Sequence, residues 1–311
     1  VRVFRGLDAA AEARLRDPVA SVGVFDGVHR GHRQLLYELT VWSQSLGGTA
    51  CVVTFEEHPR ATLEGADVPM ILTLEHRLLE LERHGVEAVV LLDFASIQHL
   101  PAREFLLDVL RDRLGCAHLL LGFDSHLGKG RDGTPATLPV MGEELGIEVR
   151  VASPVRDKDG AKVGSSSIRR AIQTGDLEGA ANVLGRPVCL RGTVVPGAGR
   201  GTGMGVATAN LDVSGQVLPP DGVYLVRVFL GSETAPAIAN LGVQPTFGEG
   251  APRRLEVHIP EWDRDLYGEA IEVRLVRRIR EERRFETPEA LTAQIQSDLS
   301  ELERSVAAGE I

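Results

Sequence analysis

Residues 19–48 read VASVGVFDGVHRGHRQLLYELTVWSQSLGG, and this stretch decides the class of fold. Val19 to Phe25 is an apolar run broken only by Ser21 and Gly23, the pattern of a buried strand. Asp26-Gly27 makes a turn, and a helix starts near Gly31. Leu35, Leu36, Leu39 and Trp42 share one face of that helix, and Gly47 ends it. A buried strand that turns straight into an amphipathic helix is the first part of a parallel β-α-β unit. The alternation continues down the chain. TACVVTF (49–55), VEAVVLLDF (86–94), AHLLLGF (117–123) and IEVRVAS (147–153) read as strands. LTLEHRLLELERHG (72–85), PAREFLLDVLRDRLG (101–115) and LPVMGEELG (138–146) read as helices between them. Near-continuous apolar strands separated by helices predict an α/β, doubly wound parallel sheet.

Residues 165–185 give two short helices, and the texture changes at Gly185-Arg186-Pro187. PVCLRGTVV (187–195), GVYLVRVFL (222–230), APAIANLGV (235–243), RRLEVHIP (253–260) and EAIEVRLVRRI (269–279) are short β-rich runs separated by glycine and proline turns. They predict a small antiparallel β-barrel. A last helix follows, with Thr287 as its N-cap and Pro288 in its first turn. The expected domains are residues 1–185 and 186–311.

A length of 311 residues suits two domains, and 43% hydrophobic with 25% charged residues suits a chain that buries a real core. The net charge of −10 argues against a generic nucleic-acid partner. Cys51, Cys116 and Cys189 lie far apart among apolar residues, so buried, reduced thiols are expected. The stretch before Val19 has no long apolar run, and no run of about 18 apolar residues marks a membrane span. A cytoplasmic enzyme is the expectation.

The turn GVFDGVHRGH, from Gly23 to His32, carries the first candidate site. His29 and His32 stand three residues apart at a helix N-terminus, where unpaired N–H groups and a partial positive charge suit phosphate. The glycines at 23, 27 and 31 allow close backbone approach. A zinc site would need a third ligand, and none stands nearby. Two later segments could complete the site: LLLGFDSHLGKGRDGT (119–134), with Asp124, Lys129 and Arg131, and KVGSSSIRRAI (162–172), with Ser165, Ser166, Arg169 and Arg170. On spacing alone, the first also reads as a charged loop and the serines as helix caps.

The second candidate site is VVPGAGRGTGMGVATANL, residues 194–211. Five glycines precede Thr208-Ala209-Asn210. Glycine-rich backbone can cradle phosphate, while a threonine hydroxyl and an asparagine carbonyl are hard oxygen donors suited to Mg2+. The segment lacks the ending of a P-loop. Glu256 sits on a predicted strand between inward Leu255 and Val257, so by pattern alone it is an outward strand glutamate.

At these residues the chain resembles the bifunctional riboflavin kinase/FAD synthetase family of bacteria. GVFDGVHRGH, VVTFEEHPR, LGKGRDGT and SSSIRRAI resemble its HxGH nucleotidylyltransferase module, a Rossmann-like fold. The resemblance implies that Gly23, Phe25, Asp26 and Gly31 line the ATP phosphates and that His29 and His32 act on them during adenylyl transfer. It also implies phosphate contacts from Ser165, Ser166 and Arg169, and places Asp124 on the flavin side. In the second half, Gly199, Arg200, Gly201, Gly205, Thr208, Ala209 and Asn210 resemble the family's glycine loop and metal-binding turn. The implied roles are phosphate binding by Gly199, Arg200, Gly201 and Gly205, Mg2+ binding by Thr208 and Asn210, and general-base catalysis by Glu256. Asn240, Arg280 and Phe285 are implied in the flavin pocket, although Phe285 reads equally as a core residue.

ATP, riboflavin and FMN are the implied substrates, with Mg2+ and no tightly bound prosthetic group. The chain departs from the family pattern at Gly164, Ser125, Leu127 and Ala207, where serine, two aromatics and proline are usual. Two alternatives stay open on the sequence: only one of the two activities retained, or a flavin- or nucleotide-binding protein without turnover.

Overall fold

The computed structural model describes residues 1–156, 160, 163–196, 208–243, 253–260, 262, 264–283 and 285–311. Gly199, Arg200, Gly201, Gly205 and Ala207 lie outside the described residues. The chain divides into two compact units, Val1–Met70 with Leu74–Ser165, and Ile71–Thr73 with Ser166–Ile311.

The first unit runs β1 (Arg2–Arg5), α1 (Leu7–Glu12), β2 (Pro18–Val22), α2 (Arg30–Leu46), β3 (Thr49–Phe55), α3 (Pro59–Glu64), α4 (Leu74–Arg83), β4 (Ala88–Leu92), α5 (Phe94–Ile97), α6 (Ala102–Glu104), β5 (His118–Leu121), α7 (Leu138–Leu145) and β6 (Glu148–Val151). A π-helical run, Phe105–Arg113, continues α6. The six strands pair in parallel in the order β1-β4-β3-β2-β5-β6. This is the doubly wound sheet expected, and its winding reverses between β2 and β5. Ligands of such sheets bind at the carboxyl ends of the strands beside that reversal. The turn after β2 carries His29 and His32, and the loop after β5 carries Asp124.

β2, β3 and β4 are buried throughout, which explains why their sequences are apolar without alternation. Their partners in the core include Phe105, Leu106, Leu110 and Leu138. Cys51 and Cys116 lie in the same core as thiols outside any disulfide, and Cys189 is also buried and outside any disulfide. Burial pushes the Cys51 thiol up to about 12, so it stays protonated and unreactive at neutral pH.

The second unit contains α8 (Ser165–Thr174, Ser165 itself grouping with the first unit), α9 (Leu177–Leu184), β7 (Cys189–Val195), β8 (Thr208–Leu211), β9 (Gly222–Leu230), β10 (Glu233–Val243), β11 (Arg253–His258), β12 (Ala270–Arg280) and α10 (Pro288–Ala307). The strands close an antiparallel barrel in the order β10-β11-β8-β7-β12-β9. Its interior packs Leu211, Tyr224, Val226, Leu241, Leu255, Val257 and Val273. Ile168, Ile172, Ala180 and Leu184 of α8 and α9 join that same core, so by contact these helices group with the barrel, ahead of the texture change at 186. α10 starts as its sequence says: Thr287 Oγ1 accepts from Ala290 N at 3.2 Å, with Pro288 in the first turn.

Candidate active sites

The turn between β2 and α2 is buried and strained. Phe25, Asp26, Val28 and His29 are all buried. Phe25 and Val28 have φ values of 53° and 37°, and Gly27 has 82°. A left-handed conformation costs a non-glycine residue ~1–3 kcal/mol and persists only where its surroundings over-determine it. Three bonds do so. Val28 N donates to Phe25 O at 3.2 Å. Ser165 Oγ, at the start of α8, donates to Asp26 O at 2.9 Å. Arg77 Nη1, from α4, donates to Val24 O at 2.9 Å.

His29 is the N-cap of α2. Its Nδ1 accepts from His32 N at 3.3 Å, which leaves Nε2 as the protonated nitrogen of the neutral ring. The two imidazoles stack, with centroids 3.7 Å apart and planes 15° from parallel. Gly31 makes this possible, because a Cβ there would meet the His29 ring at 3.2 Å. His32 also lies 5.1 Å from the Phe25 ring, and its Nδ1 is buried without a hydrogen-bond partner among the described residues. Burial first, and the neighbouring His29 second, hold the His32 pKa well below its ordinary 6.5. His32 is therefore neutral at pH 7.

This has a consequence for stability. The unfolded chain takes up the His32 proton as pH falls through 6.5, while the folded chain does not until lower pH. The contribution is fully present above that value and is lost as pH falls toward the folded pKa. His32→Asn should flatten the drop in Tm between about pH 6.5 and pH 5. Calorimetric melting of both proteins across that range is the check, and parallel curves would contradict the burial of a neutral ring.

The remaining residues expected at this site divide. Ser165 reaches the turn directly. Ser166 is exposed and Arg169 is half-buried on α8. Asp124 follows β5, where its carbonyl is 2.8 Å from His126 Nδ1. Of the two positions that lack aromatic side chains, Leu127 is 9% exposed and packs into the domain core. Gly164 has open space where a Cβ would stand.

In the barrel, four expected residues fall on one cross-strand row. Asn210 of β8 pairs with Glu256 of β11, Glu256 with Asn240 of β10, Asn240 with Val223 of β9, and Val223 with Arg280 of β12. Paired residues project from the same face of a sheet. Their chain neighbours Ala209, Leu211, Leu255, Val257, Ala239 and Leu241 fill the barrel interior, so the row lies on the outer face. Thr208, two residues before Asn210, shares that face. Asn210 is buried, and Glu256 and Asn240 are half-buried. The glutamate is thus outward, as its alternation says, and two amides flank it.

α10 covers the rest of this face, where Leu302 packs with Val223, Leu225 and Ile238. Arg280 is bound to α10: its Nε and Nη2 reach the Asp298 carboxylate at 3.0 Å and 2.7 Å. Asn240 Nδ2 donates to Glu282 Oε1 at 3.4 Å, while its Oδ1 is buried without a hydrogen-bond partner among the described residues. Phe285 is half-buried under the Arg283 guanidinium, 4.7 Å from its ring centre. Sequence reasoning missed Arg77 and Glu282. Gly242 carries a signal for the second, since any Cβ there would strike the Glu282 carboxylate.

Comparison with known proteins follows the same two halves. A FAD synthetase family model matches residues 11–167, and a riboflavin kinase family model matches residues 184–306. The bifunctional riboflavin kinase/FMN adenylyltransferase of Pseudomonas fluorescens is 36% identical over 92% of this chain and 92% of its own. Those of Escherichia coli, at 35% over 96% of each chain, and Bacillus subtilis, at 33% over 91% of this chain and 90% of its own, are also similar. A solved Streptococcus pneumoniae structure, described as a macrolide-efflux protein, is 32% identical with a TM-score of 0.82, covering 96% of this chain and 98% of its own. Among the described residues here, no helix is long and apolar enough to cross a membrane.

Proposed function

The chain belongs to the bifunctional riboflavin kinase/FMN adenylyltransferase family, and from that premise we propose that residues 186–311 phosphorylate riboflavin and residues 1–185 adenylylate the product. It is a transferase with both activities. ATP is the co-substrate of each, and riboflavin and FMN are the acceptors.

The observation that carries the kinase assignment is the row Asn210–Glu256–Asn240. Glu256 takes the proton of the ribityl 5′-hydroxyl, the freed oxygen attacks the γ-phosphorus of ATP, and ADP leaves. A carboxylate between two neutral amides is suited to that task, since neither neighbour competes for the proton. Thr208 and Asn210 offer a hydroxyl and an amide oxygen on one strand face, a donor set that fits Mg2+. The bound ion would neutralise phosphate charge. Asn240 and Phe285 face the flavin. Gly199, Arg200, Gly201 and Gly205 complete the phosphate end, and Arg280 acts on the flavin pocket from its place against α10.

In the first half, a phosphate oxygen of FMN attacks the α-phosphorus of ATP and pyrophosphate leaves, giving FAD. His29 and neutral His32 donate hydrogen bonds to phosphate oxygens where charge builds. Gly23, Phe25, Asp26 and Gly31 shape the turn, Ser165, Ser166 and Arg169 bind phosphate, and Asp124 lies on the FMN side. Flavins pass through as substrates, so no tightly held prosthetic group is expected. The enzyme works in the cytoplasm without a nucleic-acid or membrane partner.

Incubation of the full chain with riboflavin, ATP and Mg2+, followed by chromatography, tests this. FMN should appear first and FAD after it. FMN that never proceeds to FAD would leave a kinase alone.

A further inference from the structure

We infer that Arg77 is a positioning residue for adenylyl transfer: its guanidinium spans the separating ends of β2 and β3 and sets the peptide before the strained Phe25. The inference rests on the adenylyltransferase reading of the first half. β2 and β3 pair regularly up to Val22 and Val53, and Gly23 N still reaches Val53 O at 3.1 Å. Beyond that point, among the described residues, no backbone bond joins the two segments, and Arg77 supplies donors instead. Nη1 donates to Val24 O at 2.9 Å, and Nη2 donates to Phe55 O and, at 3.3 Å, to Glu56 O. Thr54 Oγ1 adds a second bond to Val24 O at 3.2 Å.

Arg77 is fully buried, which is rare for arginine and costly unless the charge is well matched. Three carbonyls accept from its Nη1 and Nη2, Nε is buried without a hydrogen-bond partner among the described residues, and Asp26 in the turn adds a favourable charge. Burial lowers its pKa to about 10, so the guanidinium stays charged at neutral pH. A planar fork with several donors can reach two strand ends at once, whereas a single ammonium cannot.

The place of the contact gives it meaning. Val24 O belongs to the peptide just before Phe25, Phe25 O, which accepts from Val28 N, to the peptide just after it, and Asp26 O, held by Ser165, to the peptide beyond that. Gripping these successive peptides is what keeps Phe25 at a φ of 53° and delivers His29 to its capping position. Arg77 itself touches no reacting atom. It acts through the turn.

The test uses the full chain, in which riboflavin phosphorylation is the internal control. Arg77→Met should lower kcat/KM for ATP in FAD formation by about 100-fold, the scale of a misplaced catalytic group. Arg77→Lys, keeping the charge but not the fork, should lose about 10-fold. Kinase kinetics should not move in either. Amide resonances of residues 24–29 should shift in Arg77→Lys while those of the barrel stay in place. Wild-type kcat and KM for FAD formation in Arg77→Lys, with unshifted turn resonances, would overturn the inference. If Arg77→Met does not fold, Arg77→Lys decides. A wild-type chain that makes no FAD would instead defeat the adenylyltransferase reading, and the resonances would still report on the hold of Arg77 on the turn.

Discussion

His32→Asn should cut FAD formation from FMN and ATP by about 10²–10⁴-fold while leaving riboflavin phosphorylation intact. The ring is buried, stacked on His29 and neutral, so its Nδ1 has no competing partner among the described residues. Asparagine keeps a donor of similar reach but loses the stacking and the imidazole's two-sided geometry. The loss should fall on kcat more than on KM, because charge on the phosphates grows in the transition state. Steady-state kinetics with FMN as sole flavin give both constants. An unchanged kcat would remove His32 from the chemistry.

Glu256→Gln should lower FMN formation by about 10²–10⁴-fold, with FAD formation from supplied FMN untouched. Glutamine preserves size and hydrogen bonding on the outer face but cannot take up a proton. Binding of riboflavin should survive, which separates a missing base from a collapsed site. Rapid-quench assay of labelled phosphate transfer, beside flavin-fluorescence titration, measures the two separately. Loss of binding without a change in the chemical step would reassign Glu256 to substrate contact.

Much of this architecture is visible in the chain itself. Buried parallel strands cannot be anything but apolar, so β2, β3, β4 and β5 stand out, as do the helices between them. β1 does not stand out. Arg2–Arg5 is a short edge strand with no buried residue, so no burial constrains its sequence. The π-helical run Phe105–Arg113 reads from sequence as ordinary helix, since its departure from the usual period is a matter of packing.

The sites divide in the same way. The His turn is legible because a strand, a glycine-rich turn and a helix start fall together in ten residues. That His29 caps its own helix is not, because imidazole is outside the usual capping residues. Arg77 is hidden for a physical reason: in LEHRLLELER an arginine belongs by pattern to the polar face of a helix. Only the separation of β2 from β3 creates the need for a buried fork. The row Asn210–Glu256–Asn240 joins strands far apart in sequence, and register between such strands is set by loops and by which face is buried. Pattern alone places Glu256 outward; the fold supplies its neighbours. Leu127 shows the opposite case, where a position matched by resemblance to a stacking aromatic turns into the core.

One chain carries two separate reactions, joined by FMN. The most direct measurement supplies riboflavin, ATP and Mg2+ to Glu256→Gln alone, to His32→Asn alone, and to the two mixed, and follows the flavins by chromatography. Riboflavin should persist with the first, FMN should accumulate with the second, and the mixture should make FAD through FMN released into solution. FAD formation lost in Glu256→Gln even when FMN is supplied, or FMN formation lost in His32→Asn, would contradict two separate sites.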